Sequence, residues 1–182
     1  MKKLLIILIY TLFISDYTLA NQVVINSLKS SGKLIFIRHA YAPGGGDPDN
    51  FRIEDCSTQR NLDKTGIEQA KRIGKFFKDN QISIDLVLSS EWCRCKETAK
   101  KAFKNYKTFS ALNSFFASKF EKNRDKQIKD LKTFITSLSS KKNIVFVTHY
   151  VVISEILNTN VSSGTIIVAD KNFKVIGTVE VN

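Results

Sequence analysis

Leu34-Ile35-Phe36-Ile37-Arg38-His39 is a run of four apolar residues closing on an arginine and a histidine, and Ile144-Val145-Phe146-Val147-Thr148-His149 repeats the pattern. A short, continuous apolar run of this kind reads as a strand buried on both faces, as in the sheets of α/β proteins. His39 and His149 are the only histidines among the 182 residues. Both therefore project from the carboxyl edge of a sheet, where open α/β sheets bind ligands. Either one alone reads as a hydrogen-bonded strand-end histidine. Together, with Arg38 beside the first, they mark an anion-reacting site.

Outward from these two strands, helix-period and strand-like segments alternate. After the first strand (Lys33 to His39) comes a loop rich in breakers, Pro43-Gly44-Gly45-Gly46-Asp47-Pro48, running to about Asn61. Asp63 is placed to cap a helix from Lys64 to about Asn80, with Ile67, Ala70, Ile73, Phe76 and Phe77 on one face. Ile84 to Leu88 reads as a second strand ending at Ser89-Ser90, followed by a helix from Glu91 to about Asn105. An irregular stretch through Phe109, Leu112, Phe115 and Phe116 leads to a lysine-rich helix from about Lys122 to Leu138. Beyond the strand ending at His149 lie a short helix around Val152 to Leu157 and two strands, Thr165 to Ala169 and Phe173 to Val181. The order predicts an α/β fold, a three-layer α/β/α sandwich on a mixed, mostly parallel sheet, its last two strands forming a hairpin.

Residues 1–20 do not fit this pattern. Lys2 and Lys3 precede an apolar stretch from Leu4 to Ile14, and Thr18-Leu19-Ala20 offers the small residues of a cleavage site. The stretch is shorter than the about 20 apolar residues of a spanning helix. The expectation is a signal peptide over 1–20, one domain over 21–182, an exported or periplasmic location, and no stable membrane insertion after cleavage. An uncleaved anchor is the alternative.

The formal charge of +11 favours anionic partners. Its lysines are dispersed among acids from Lys71 to Lys107 and Lys119 to Lys142, without a basic stripe studded with aromatics, so no nucleic-acid partner is expected. Of the cysteines, Cys56, Cys93 and Cys95, the spacing of the last two is not that of a zinc knuckle, and no metal is expected. In an oxidising compartment Cys56 can bridge to Cys93 or to Cys95, leaving one thiol over. Three reduced cysteines are expected if the leader reading fails.

The polar ends of three segments meet at one sheet edge: Arg38-His39, Ser89-Ser90 through Arg94, and Thr148-His149. Two guanidiniums can each hold two oxygens of one tetrahedral anion. With Arg38 and Arg94 clamping a phosphoryl group, one imidazole is free to attack phosphorus while the other binds an equatorial oxygen. The surrounding positive charge favours a neutral, nucleophilic histidine. Gly44-Gly45-Gly46 lacks the Gly-Lys-Ser/Thr continuation of a nucleotide P-loop. Ser30-Ser31-Gly32-Lys33 stands ahead of the first strand, without the companion motifs of penicillin-binding enzymes.

Four anchors, taken in order, resemble the histidine phosphatase superfamily, the phosphoglycerate-mutase-like proteins. They are Ile37-Arg38-His39-Ala40; Asn61-Leu62-Asp63-Lys64-Thr65-Gly66 with Gln69-Ala70; Ser89-Ser90 with Arg94 and Thr98-Ala99; and Val147-Thr148-His149. The resemblance implies a metal-independent phosphatase without cofactor. His39 would be the nucleophile that becomes phosphorylated, with Arg38, Arg94 and His149 as catalytic and phosphate-binding residues. Small size and leader look most like the compact exported bacterial branch, and the implied partner is a small phosphorylated substrate or a phosphorylated envelope component such as a sugar phosphate.

Three departures stand out. Ala40 replaces a glycine, Tyr150 replaces the aspartate that follows the second histidine in acid phosphatases, and Ala111 to Phe116 lacks the glutamate of the mutase-like branch. The proton donor is therefore sought among the loop acids Asp47, Asp49, Glu54 and Asp55, with Asp47 and Asp55 preferred. The alternative is a non-catalytic, phosphate-binding envelope protein. Mutase activity on a glycolytic intermediate conflicts with export.

Overall fold

The computed structural model describes residues 22–138 and 141–181, and the expected leader lies outside them. Six strands, β1 (Leu34–Arg38), β2 (Leu86–Ser89), β3 (Lys107–Thr108), β4 (Ile144–Thr148), β5 (Ile166–Ala169) and β6 (Val175–Val179), form one sheet in the order β3-β2-β4-β1-β5-β6. β1 to β4 are parallel, β5 is antiparallel to β1, and β6 to β5. The helices are α1 (residues 22–29), α2 (Lys64–Asp79), α3 (Cys93–Phe103), α4 (Ser118–Glu121), α5 (Arg124–Ser137) and α6 (Tyr150–Leu157). This is the mixed α/β/α sandwich read from the sequence.

Strand alternation assigns the two apolar layers. Leu34, Phe36, Ile144 and Phe146 pack with Leu131 and Ile135 of α5 and Ile153 of α6. Their neighbours Ile35, Ile37, Val145 and Val147 pack with Leu28 of α1, Ile73 and Phe77 of α2 and Ala99 of α3. Because helices cover both faces, the central strands carry no polar face. Burying each such side chain is worth about 1.5–3 kcal/mol.

Several boundaries differ from those the sequence suggests. α3 starts at Cys93 because Trp92 is extended, with φ −60° and ψ 137°. The irregular stretch contains the one-turn α4, so α5 starts at Arg124 instead of Lys122. Phe173 sits at φ +64°, inside the turn at Asp170, which delays β6 to Val175. Edge strand β3 and helix α1 were not anticipated. Among the described residues, no helix is long and apolar enough to cross a membrane.

Pairing in the middle of the sheet positions the site. Arg38 is the register partner of Thr148, so the residues that follow, His39 and His149, leave the sheet side by side. The His39 N–H donates to Thr148 O at 2.9 Å, and the Ser90 N–H to Val147 O at 2.9 Å.

Candidate active site

His39, Arg38, Arg94 and His149 line one cavity of about 310 Å³ at the carboxyl ends of β1, β2 and β4, with Asp47 and Arg60 in the same wall. The four residues read as a site are thus brought together by three separate crossovers. The imidazole centroids of His39 and His149 are 5.5 Å apart.

His39 is buried, and its Nδ1 lies 2.8 Å from the Ala40 carbonyl oxygen. A carbonyl can only accept, so the proton is on Nδ1 and Nε2 carries the lone pair. Burial, followed by the charge of Arg94, holds the His39 pKa well below its usual 6.5, against the opposing hydrogen bond to Ala40. The imidazole is therefore neutral at neutral pH, with the tautomer a nucleophile needs. Ala40 is fully buried and lies outside the positive-φ region, so the added methyl imposes no backbone strain. Its N–H donates to Thr98 Oγ1 at 2.9 Å, and Thr98 donates to Arg94 O at 2.7 Å, tying the loop after His39 to α3.

Arg94 is buried and donates from Nη1 to Asp47 Oδ1 at 2.8 Å. Arg38 donates to Val161 O at 2.8 Å. The Nε–H groups of Arg38 and Arg94 are buried without a hydrogen-bond partner, donors that a bound anion can satisfy. Arg60, which the sequence reading passed over, is a third guanidinium in the wall. It donates from Nε to Gly46 O at 2.9 Å and from Nη1 to Ala42 O, clasping the glycine loop. The clue to it is its place, one residue before the Asn61-Leu62 anchor, where the loop returns to the site.

Of the two preferred proton donors, only Asp47 lines the cavity. Asp47 Oδ1 also accepts from the Arg60 N–H at 3.0 Å, and Oδ2 from Trp92 Nε1 at 3.0 Å. Burial would raise its pKa, but the Arg94 charge and the hydrogen bonds from Arg60, Arg94 and Trp92 outweigh it and keep the carboxyl ionised. Asp47 is thus an acceptor that orients Arg94, Arg60 and Trp92, not a store of a transferable proton. Asp55 is displaced from the site altogether. Its carboxylate caps the turn at Ser57, accepting from the Ser57 N–H at 3.0 Å, and pairs with Arg52. Asp49 and Glu54 are exposed loop residues outside the cavity wall.

His149 sits in a chain of hydrogen bonds. Arg94 Nη2, which can only donate, lies 3.4 Å from Nδ1, and Ser90 Oγ lies 2.9 Å from Nε2. The neutral ring therefore carries its proton on Nε2 and donates it to Ser90. Ser90 Oγ in turn donates to Asn113 Oδ1 at 3.0 Å, and Asn113 Nδ2 to Glu91 Oε2 at 2.6 Å. Burial, then the Arg94 charge, lowers the His149 pKa well below 6.5. Asn113 occupies the stretch where a carboxylate was looked for, and its amide supports His149 through Ser90.

The remaining anchor residues build the walls. A Cβ on Gly66 would meet Tyr41 O at 1.9 Å, so only glycine lets the start of α2 press against the loop after His39. Asp63 caps that helix by accepting from the Gly66 N–H at 2.8 Å. Gln69 accepts from the Tyr41 N–H at 2.8 Å and donates to Ser163 O at 2.8 Å, clamping two loops of the rim. Cys56 is bonded to Cys93 and Cys95 is free, which resolves the pairing left open by the sequence. Burial pushes the Cys95 thiol up to about 12, so it remains protonated. Phe115 belongs to the core, whereas Phe116 is exposed at the cavity. Among the described residues no group of three or more His, Cys, Asp or Glu side chains is placed to hold a metal ion.

No curated protein matches the chain. Solved structures do, at identities that establish the fold alone. A protein histidine phosphatase SixA in complex with tungstate is 11% identical, with TM-score 0.58 over 81% of this chain and 96% of the other. A SixA protein from Agrobacterium tumefaciens is 18% identical, with TM-score 0.57 over 81% and 97%. A provisionally designated α-ribazole-5′-P phosphatase from Escherichia coli K-12 is 17% identical, with TM-score 0.56 over 80% and 94%. Residues 34–129, which include Arg38, His39 and Arg94, match the model of the histidine phosphatase superfamily, branch 1. The chain belongs to the histidine phosphatase superfamily.

Proposed function

We propose that this protein is an exported, metal-independent phosphatase of the compact envelope branch that hydrolyses phosphate monoesters through a phosphohistidine at His39. The observation that carries this reading is the His39 tautomer: Nδ1–H donates to Ala40 O, leaving an unprotonated Nε2 in a cavity walled by three guanidiniums. Nε2 attacks phosphorus and the bond to the leaving oxygen breaks, that oxygen keeping the electron pair. The phosphorylated ring still donates from Nδ1 to Ala40 O, which stabilises its positive charge. Water then attacks phosphorus, the N–P bond breaks, and neutral His39 is restored as phosphate departs. Arg38, Arg60 and Arg94 meet the charge that spreads over the equatorial oxygens. His149 binds one of these oxygens, donating from Nδ1 once the incoming dianion has drawn a second proton onto the ring.

That a SixA protein of the same fold is solved in complex with tungstate, a tetrahedral oxyanion, supports an oxyanion ligand for this fold. Export is supported by the leader pattern and by the Cys56–Cys93 bond, of the kind that persists in oxidising compartments. A phosphate monoester of the envelope suits that location. The second reading, an anion-binding protein without efficient chemistry, rests on Asp47, whose carboxylate is already engaged by three donors.

Rapid quenching after mixing with a reactive phosphate monoester, then peptide mapping beside His39→Ala, tests the proposal. An acid-labile adduct on His39 and turnover that resists a metal chelator are expected. Phosphate binding without adduct or turnover would leave the binding-protein reading.

A further inference from the structure

The rim of the cavity is unlike the rest of the surface. Among the described residues the exposed large apolar side chains are Val23, Tyr41, Phe116 and Tyr150, and the last three all line the cavity that holds His39. Phe116 is 60% exposed, the most of the four. Phe116 and Tyr150 meet edge to face with centroids 5.6 Å apart, and the Arg38 guanidinium lies 5.4 Å from the Tyr150 centroid. Single exposed apolar residues need no explanation, but several gathered around one polar pocket mark a binding surface.

Depth and chemistry say what belongs there. His39 is 2% exposed, so the phosphoryl group it receives lies at the floor of the cavity. In-line displacement places the leaving group opposite the attacking Nε2, and therefore toward the mouth. Asp47, the carboxylate in the wall, has its oxygens engaged by Arg94, Arg60 and Trp92. A departing group receives no carboxylic acid proton, which favours a ring that delocalises the negative charge over an alkoxide that cannot.

Resting on the phosphatase reading above, we propose that the leaving group of this site is a flat aromatic ring, an aryl oxide, held at the mouth by Tyr41, Phe116 and Tyr150. As His39 Nε2 bonds to phosphorus, the aryl oxygen leaves with the electron pair of the P–O bond and later takes its proton from solvent. The ring comes from a small aryl ester or from a phosphorylated aromatic side chain of a peptide, since both present the same face.

Non-hydrolysable phosphonates test this apart from turnover. Calorimetric titration compares benzylphosphonate with butylphosphonate, which carry the same head group. The aryl compound is expected to bind about tenfold more tightly, the scale of one good aromatic contact. Phe116→Ala should bring the ratio close to one, while Val23→Ala, on α1, should preserve it. Equal affinities in the unaltered protein, or a ratio indifferent to Phe116→Ala, would overturn the proposal. If neither phosphonate nor inorganic phosphate binds, the phosphatase reading itself falls. If the phosphonates bind alike and His39 still forms its adduct, only the aryl assignment falls. Phosphonomethyl-phenylalanine, free and within a pentapeptide, separates the two sources. Tighter binding of the peptide assigns a phosphorylated side chain and equal binding a small ester, and either result upholds the ring.

Discussion

Ser90 Oγ lies 2.9 Å from His149 Nε2 and donates its own O–H to Asn113 Oδ1, so the hydroxyl is left to accept and, with Arg94 at Nδ1, fixes the proton of His149 on Nε2. Ser90 and His149 are 59 positions apart in the chain and meet because β2 and β4 are adjacent parallel strands. Ser90→Ala leaves the buried Nε2–H only the weak acceptor Cys95 Sγ at 3.5 Å, a loss of about 1–3 kcal/mol. The expected result is a lowered melting temperature together with a loss of rate in the proposed reaction on the order of tenfold, the equivalent of about 1.4 kcal/mol. Nitrogen-15 NMR of the histidine rings reads the tautomer directly. A variant whose His149 remains uniformly protonated on Nε2 would show that Ser90 does not set it.

Asp47→Asn keeps the shape of the side chain and removes its charge. A general acid acts in proportion to how poor the leaving group is, whereas an orienting acceptor acts on every substrate alike. Asp47 is held ionised, so the variant should lose a similar factor, on the order of tenfold, on all esters tested. A plot of log rate against leaving-group acidity should keep its slope. Selective loss on the poorest leaving groups would return Asp47 to the role of acid.

The two histidines also fix how stability depends on pH. Both folded-state values are lowered below 6.5, chiefly by burial and then by Arg94. Between the unfolded value of about 6.5 and those lowered values the unfolded chain binds more protons than the native one. The contribution is complete above pH 6.5 and is lost as pH falls below it. Asp47, whose folded value is also lowered, loses its contribution only in more acid solution, on passing below the ordinary carboxylate value of 3.8. Chemical denaturation from pH 7.5 to 5 should show falling stability, with a flatter dependence in His39→Gln. Stability independent of pH over that range would contradict the burial assigned to both rings.

What could be read before the structure follows from where each signal resides. Leu34 to Ile37 and Ile144 to Val147 are buried on both faces, so their strands announce themselves as apolar runs, and strand-end residues follow automatically. Arg94, the second residue of α3, is legible through its neighbours Ser89, Ser90 and Thr98. Arg60 escaped because its loop has no period, and its position depends on contacts with Gly46 and Ala42, 14 and 18 residues away. Asp47 was found, but its partners were not, and those partners reverse its expected role. Lys107–Thr108 is two exposed residues on a sheet edge, held by backbone pairing to β2, and no pattern of side chains reports that. Phe115 and Phe116 are chemically alike, and as neighbours in a stretch without regular structure they face opposite ways, one into the core and the other to the cavity.

The Cys56–Cys93 bond joins the loop carrying Asp47 and Arg60 to the first residue of α3, one position before Arg94. Gln59 reinforces the same junction, accepting from the Cys93 N–H at 2.9 Å and donating to Ile53 O at 3.0 Å. The cross-link spans 37 residues of sequence, for which loop-closure entropy gives about 4 kcal/mol of stabilisation. Reduction, or the pair Cys56→Ser and Cys93→Ser, should therefore lower stability by about 2–4 kcal/mol in denaturant titration. The core does not rest on the bond alone, because β1, β4, α2, α5 and α6 contain neither cysteine and Cys93 is only the first residue of α3. Secondary structure should persist below the new midpoint. Phosphate affinity should fall more than far-ultraviolet circular dichroism changes, since Arg94 and the Asp47 loop lose their common anchor. An affinity unchanged on reduction, at a concentration of denaturant well below the midpoint, would show that the hydrogen bonds of Gln59 and Asp47 hold the junction alone.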